Sequence, residues 1–94
     1  MVFDFNQHLN GKTLGLSFKK FDEDDFIQLI SSGSEEVKNL ESIKLSSCKQ
    51  ITNESIKKVA GVCTNLQSLN LTGTKITDSG LDHLKDLTNL QSLN

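Results

Sequence analysis

The chain contains no tryptophan, no tyrosine, no proline and no arginine. Interface hot spots draw heavily on Trp, Tyr and Arg, so a tight binding face is hard to build from this alphabet. Bidentate phosphate and base recognition uses the arginine fork, and single-strand binding uses aromatic platforms. All ten basic residues are lysines, against twelve acids, for a net charge of −2. That balance argues against nucleic acid and against an anionic membrane surface as partners. No apolar run approaches the length of a membrane span. Met1 to Asn10 has neither a basic start nor a long apolar stretch, so no secretory signal is expected. Two cysteines without a targeting signal point to free thiols in a reducing compartment, cytoplasmic or nuclear.

What is present is repetition. Residues 39–45 read NLESIKL, residues 65–71 read NLQSLNL and residues 89–94 read NLQSLN. Leu40 and Leu66 are 26 residues apart, and Leu66 and Leu90 are 24 apart. A looser unit places Leu14 and Leu16 ahead of Phe21, Phe26 and Leu29. Its spacing to the next unit, Leu14 to Ile43, is 29 residues. The surplus falls at Ser31-Ser32-Gly33-Ser34, which ends a helix and leaves room for an added turn.

Each unit changes period partway along. Leu69-x-Leu71 alternates as a strand does, while Leu81, Leu84 and Leu87 recur at helical spacing and predict one inward stripe. A unit is therefore a strand, a turn and a returning helix. One unit cannot bury its own apolar face, but stacked units share a continuous core. Asp22 to Asp25 suit a helix start, and Thr52-Asn53 and Thr77-Asp78 suit helix caps. Gly61 is expected to help end the second helix, and Gly73 suits a bend. The expectation is a single domain over residues 1–94. Its parts are a cap with a divergent repeat at 1–38, repeats at 39–64 and 65–88, and the start of another at 89–94.

The segment Leu40 to Cys63 resembles the cysteine-containing subfamily of leucine-rich repeats: strand, Cys48, Ile51-Thr52-Asn53, then a helix ending in Cys63. The next unit is similar, with Thr74 in place of the first cysteine. The resemblance implies an α/β right-handed solenoid, with parallel strands on the concave side and helices on the convex side. It also implies a non-catalytic scaffold for protein recognition. Many relatives are ubiquitin-ligase substrate receptors carrying an F-box. The thirteen residues ahead of the first expected strand at Leu14 are too few for that module, so the adaptor-binding role is not carried over. Bacterial effector proteins carry similar repeats.

Candidate chemistry is sparse. Cys48 and Cys63 have no histidine at ligand spacing and no Cys-x-x-Cys, so no metal and no cofactor are expected. They read as structural, Cys48 in a turn ladder and Cys63 as a small apolar residue. His83 sits beside the inward stripe without a nucleophile near it. A calcium loop begun at Asp22 needs an oxygen ligand at 26, glycine at 27 and glutamate at 33, but finds Phe26, Ile27 and Gly33. Lys19-Lys20 and Lys57-Lys58 read as solvated faces. Phe18 and Phe21 are expected to alternate with core positions, and Phe3 and Phe5 to form a short capping strand.

The binding candidates come from strand alternation. Ser42, Lys44, Ser46, Ser68, Asn70 and Thr72 project from the sheet opposite the core leucines, with Gly15, Ser17 and Ser92 in the flanking units. A protein partner is the expected ligand of this small polar face. The sequence stops at Asn94 within a fresh strand, which would expose apolar surface and a strand edge. Self-association through that C-terminal edge, as a structural or assembly module, is the second expectation.

Overall fold

The computed structural model describes residues 4–93. Five short strands form one sheet in chain order: β1 (Leu9–Asn10), β2 (Thr13–Gly15), β3 (Ser42–Lys44), β4 (Ser68–Asn70) and β5 (Ser92–Leu93). β2 to β5 are parallel, and their register follows the repeat: Leu14 beside Ile43, Ile43 beside Leu69, Leu69 beside Leu93. Parallel strands need a long crossover, and helices supply each one. These are α1 (Glu23–Ser31) with the single turn α2 (Glu35–Lys38), then α3 (Asn53–Val62), then α4 (Asp78–Asp82) continuing into a 3-10 turn at His83–Asp86.

The long first crossover is explained at its corner. The Ser32 hydroxyl donates to the carbonyl of Leu29 at 2.6 Å, and Gly33 takes a left-handed φ of 63°. Ser34 then accepts from the amide of Val37, starting α2 afresh. One apolar core fills the space between sheet and helices. It runs from Leu14, Leu16 and Phe26 through Ile43, Leu45 and Ile56 to Leu69, Leu84 and Leu87.

Four expectations need correction. Phe5 does not extend a strand: it opens a 3-10 turn, Phe5–His8, and its ring meets Phe21 edge-on at a centroid distance of 5.5 Å. Phe3 lies outside the described residues. Among the described residues the first strand is β1, not the one at Leu14, and it pairs antiparallel with β2 across a two-residue Gly11-Lys12 turn. Gly11 has φ 62°, the conformation that a two-residue hairpin beginning with glycine requires. Gly61 lies within α3 without a left-handed φ, and Cys63 closes that helix. Leu81 is 39% exposed, although Leu84 and Leu87 are buried. The switch from α to the tighter 3-10 winding after Asp82 rotates the stripe, leaving Leu81 on the open flank.

Phe18 also departs from expectation. It follows Leu14 and Leu16 in parity, yet it is 74% exposed. Its φ is 65°, which turns the side chain away from the core. The equivalent positions in the next two repeats, Ser47 and Gly73, share this backbone with φ of 61° and 76°. In each unit the left-handed residue lets the following amide close one turn: Lys19 to the carbonyl of Leu16, Cys48 to Leu45 and Thr74 to Leu71, at 3.0–3.1 Å. The turns are tied to one another as well. The amide of Phe18 donates to Ser46 and that of Ser47 to Thr72.

Candidate protein-binding face

Because strand side chains alternate, the sheet register also aligns the residues between the core leucines. One row is Thr13, Ser42, Ser68 and Ser92; the next is Gly15, Lys44 and Asn70. Beyond the paired strands, Ser17, Ser46 and Thr72 continue the pattern, with the Ser46 amide donating to the Ser17 hydroxyl at 3.0 Å. All six candidates therefore stand on one face, opposite Ile43, Leu45, Leu69 and Leu71. Lys44 and Thr72 are exposed, and Ser42, Ser46, Ser68 and Asn70 are half-buried. The Asn70 carboxamide oxygen accepts from the Thr72 amide at 3.0 Å, which holds that side chain along its own strand. The face is polar, carries Lys44 as its one charge among these six, and has hydroxyls and amides as donors and acceptors.

The cysteines lie behind this face in the core. The Cys48 thiol donates to the Leu16 carbonyl at 2.9 Å, stitching the second turn to the first. Burial pushes its pKa up, against a smaller lowering by the backbone around Phe18 and Lys19. Burial alone pushes Cys63 up to about 12. Both thiols are free, and burial favours the protonated form of each. Among the described residues no group of three His, Cys, Asp or Glu side chains is placed to hold a metal ion, and no helix is long and apolar enough to cross a membrane.

The helix starts carry a feature absent from local sequence patterns. Thr52 and Thr77 occupy the N-cap positions of α3 and α4, but neither side chain caps its own helix. The preceding repeat does it instead. One oxygen of Glu23 accepts from the Thr52 amide at 2.8 Å, the Thr52 hydroxyl at 2.6 Å and the buried Ser55 hydroxyl at 2.7 Å. Asn53 repeats the arrangement one unit later: its carboxamide oxygen accepts from the Thr77 amide, and its nitrogen donates to the Thr77 hydroxyl. Glu23 and Asn53 are both first residues of their helices, so each helix start satisfies the next.

Two residue sets stand apart from the sequence reading: Phe18, expected to alternate with core positions, is exposed, and Lys20, read only as part of a solvated face, is one of three lysines that occupy one position in successive turns. The signal for the lysines is the repeat itself, continued one residue past Lys19, Cys48 and Thr74.

The Leucine Rich repeat family model matches residues 38–60 and 62–85, which is half of the chain. Each match covers a strand and the helix that follows it. Repeats of this family generally mediate protein–protein interaction and are typically non-catalytic. Aligned parallel strands, a shared core and two matched units together place this chain in the leucine-rich-repeat family.

Proposed function

We propose that the chain is a non-catalytic scaffold that recognises a protein partner through the open sheet face formed by Ser42, Lys44, Ser46, Ser68, Asn70 and Thr72. The observation that carries this reading is the register, which lines these side chains up across β3 and β4 while the core leucines point the other way. Strands stack about 5 Å apart and helices about 8–10 Å apart, which favours this face as the concave side of a solenoid, and the general preference of parallel crossovers supports a right-handed one. Cys48 in the turn and Cys63 at the helix end support placement in the cysteine-containing subfamily. A relation to the substrate-receptor arms of ubiquitin ligases follows as part of the same proposal. Two buried, free thiols fit a reducing compartment, the cytoplasm or nucleus.

Crosslinking to this face tests the reading. Lys44→Glu together with Asn70→Glu is expected to abolish recovery of crosslinked partners while leaving the melting temperature within about 2 °C, since surface changes cost little. Equal recovery by the double variant and the unmodified chain contradicts it.

One feature favours a second reading, assembly through the C-terminal end. Leu93 is 44% exposed, and a cavity of about 300 Å³ opens between Leu71, Thr74, Ile76, Leu81 and Leu93. An apolar end of this kind is suited to self-association.

A further inference from the structure

The turns that follow β2, β3 and β4 superpose, and each places a lysine at the same point. Lys20, Lys49 and Lys75 come immediately after Lys19, Cys48 and Thr74, whose amides close equivalent turns. The turns are joined by the Phe18–Ser46 and Ser47–Thr72 backbone hydrogen bonds, so they sit at the strand spacing of about 5 Å. All three lysines are exposed. Among the described residues the ion pairs are Lys12 with Glu41 and Lys85 with Asp82, so none of the three lysines is ion-paired.

The acids that follow each lysine fall at helix starts. Asp22 caps α1, Glu23 accepts from Thr52 and Ser55, and Asp24, Asp25, Glu54 and Asp78 lie in first turns, where the helix dipole favours negative charge. A chain with net charge −2 thus keeps a column of uncompensated positive charge along one edge of its sheet. Phe18 stands at the head of that column. It is exposed, and it holds a left-handed φ that is uncommon for a bulky residue and that Gly73 adopts freely in the third repeat. Like charges set side by side and a strained, exposed aromatic ring are both unfavourable in the free protein. A partner that brings negative charge and apolar surface together offsets the repulsion between the lysines and covers the exposed ring.

We propose that the edge formed by Phe18, Lys20, Lys49 and Lys75 docks an acidic, extended segment of a partner protein, with carboxylates over the lysines and an apolar side chain against Phe18. This rests on the protein-recognition reading above and names the chemistry of the partner. Protein is favoured over nucleic acid because there is no arginine fork for phosphate and Phe18 is a single ring rather than a stacking platform.

The probe is a fluorescently labelled peptide of six glutamates followed by two leucines, titrated at about 0.15 M salt, where surface charges act over roughly 8 Å. The triple variant Lys20→Gln, Lys49→Gln, Lys75→Gln is expected to weaken binding at least about tenfold, because three charge contacts are lost together. Phe18→Ser is expected to weaken it several-fold. Lys38→Gln with Lys57→Gln, exposed lysines elsewhere, is expected to leave it unchanged. An unaltered melting temperature shows that each variant is folded. Equal binding by the triple variant overturns the proposal, as does tighter binding of a mixed-sequence DNA duplex than of the peptide. Peptide binding that survives the triple variant but is lost in Lys44→Glu with Asn70→Glu overturns the turn edge while leaving the sheet-face reading intact.

Discussion

Leu45→Ala is expected to destabilise the chain by about 2–5 kcal/mol, and Leu93→Ala by about 1 kcal/mol or less. The two leucines follow the same pattern in the sequence but differ in surroundings. Leu45 is fully buried, and its repeat lies between the repeats that supply Leu16 and Leu71, both buried. Its amide is tied to the Asn70 carbonyl at 2.9 Å, so the strand cannot shift to fill a void. Truncation therefore leaves a cavity and forfeits packing as well as transfer energy. Leu93 lies in β5, has a neighbouring strand on one side, and is 44% exposed, so alanine there removes a contact that is already partly solvated. Urea unfolding followed by circular dichroism reads the difference as a change in midpoint at constant slope. At this size each kcal/mol moves the melting temperature by about 4–8 °C. Equal costs at the two positions would mean that the interior does not run through stacked repeats.

Glu23→Ala is expected to cost about 2 kcal/mol, a large effect for a half-exposed side chain. Removing the carboxylate takes away the acceptor for three donors on the next repeat, leaves the buried Ser55 hydroxyl without it, and uncaps α3. Glu23→Gln keeps one acceptor oxygen and is expected to cost less than half as much. The carboxylate also shapes the pH response. Burial raises the Glu23 pKa, but the hydrogen bonds from Thr52 and Ser55 outweigh it, and the net effect is a lowering below the ordinary 4.5. The folded chain then holds this proton less readily than the unfolded one, so stability rises with pH across that window. Its contribution is complete above the ordinary carboxylate value and is lost as pH falls through the lowered one. Glu23→Gln is expected to flatten that part of the acid limb in pH-dependent unfolding. An unchanged acid limb, with Glu23→Ala costing under about 0.5 kcal/mol, contradicts the bridging role.

Much of the architecture is legible in the order of residues. The switch from alternating leucines to helically spaced ones marks each strand and helix. The excess length between Leu14 and Ile43 marks the corner at Gly33. The six sheet-face residues are readable because a period of two leaves no choice of face once Ile43 and Leu69 are placed inside. The misreadings have local causes. Phe18 has core parity, but a left-handed backbone reverses its direction, and parity carries no information about φ. Leu81 belongs to a helical stripe whose winding tightens one residue after Asp82. Phe5 packs on Phe21 from a 3-10 turn, a tertiary contact that alternation around Asp4 cannot foresee. The hairpin at Leu9–Asn10 had a signal that went unread, since a glycine opening the two-residue loop Gly11-Lys12 between Leu9-Asn10 and Thr13-Leu14 suits a tight hairpin turn. Glu23 and Asn53 act on partners 24–32 residues away, and such pairs emerge only when whole repeats are superposed.

Parallel pairing of Ile43 with Leu69 underlies the core, the aligned sheet face and the stacked turns alike. Proton contacts measured by solution NMR on labelled protein report that pairing residue by residue. Close contacts between the Leu45 amide and the α proton of Leu71, and between the Asn70 amide and that of Lys44, are the expected result. Contacts displaced by one residue, which would turn Ile43 out to solvent, or none between these strands, would contradict it.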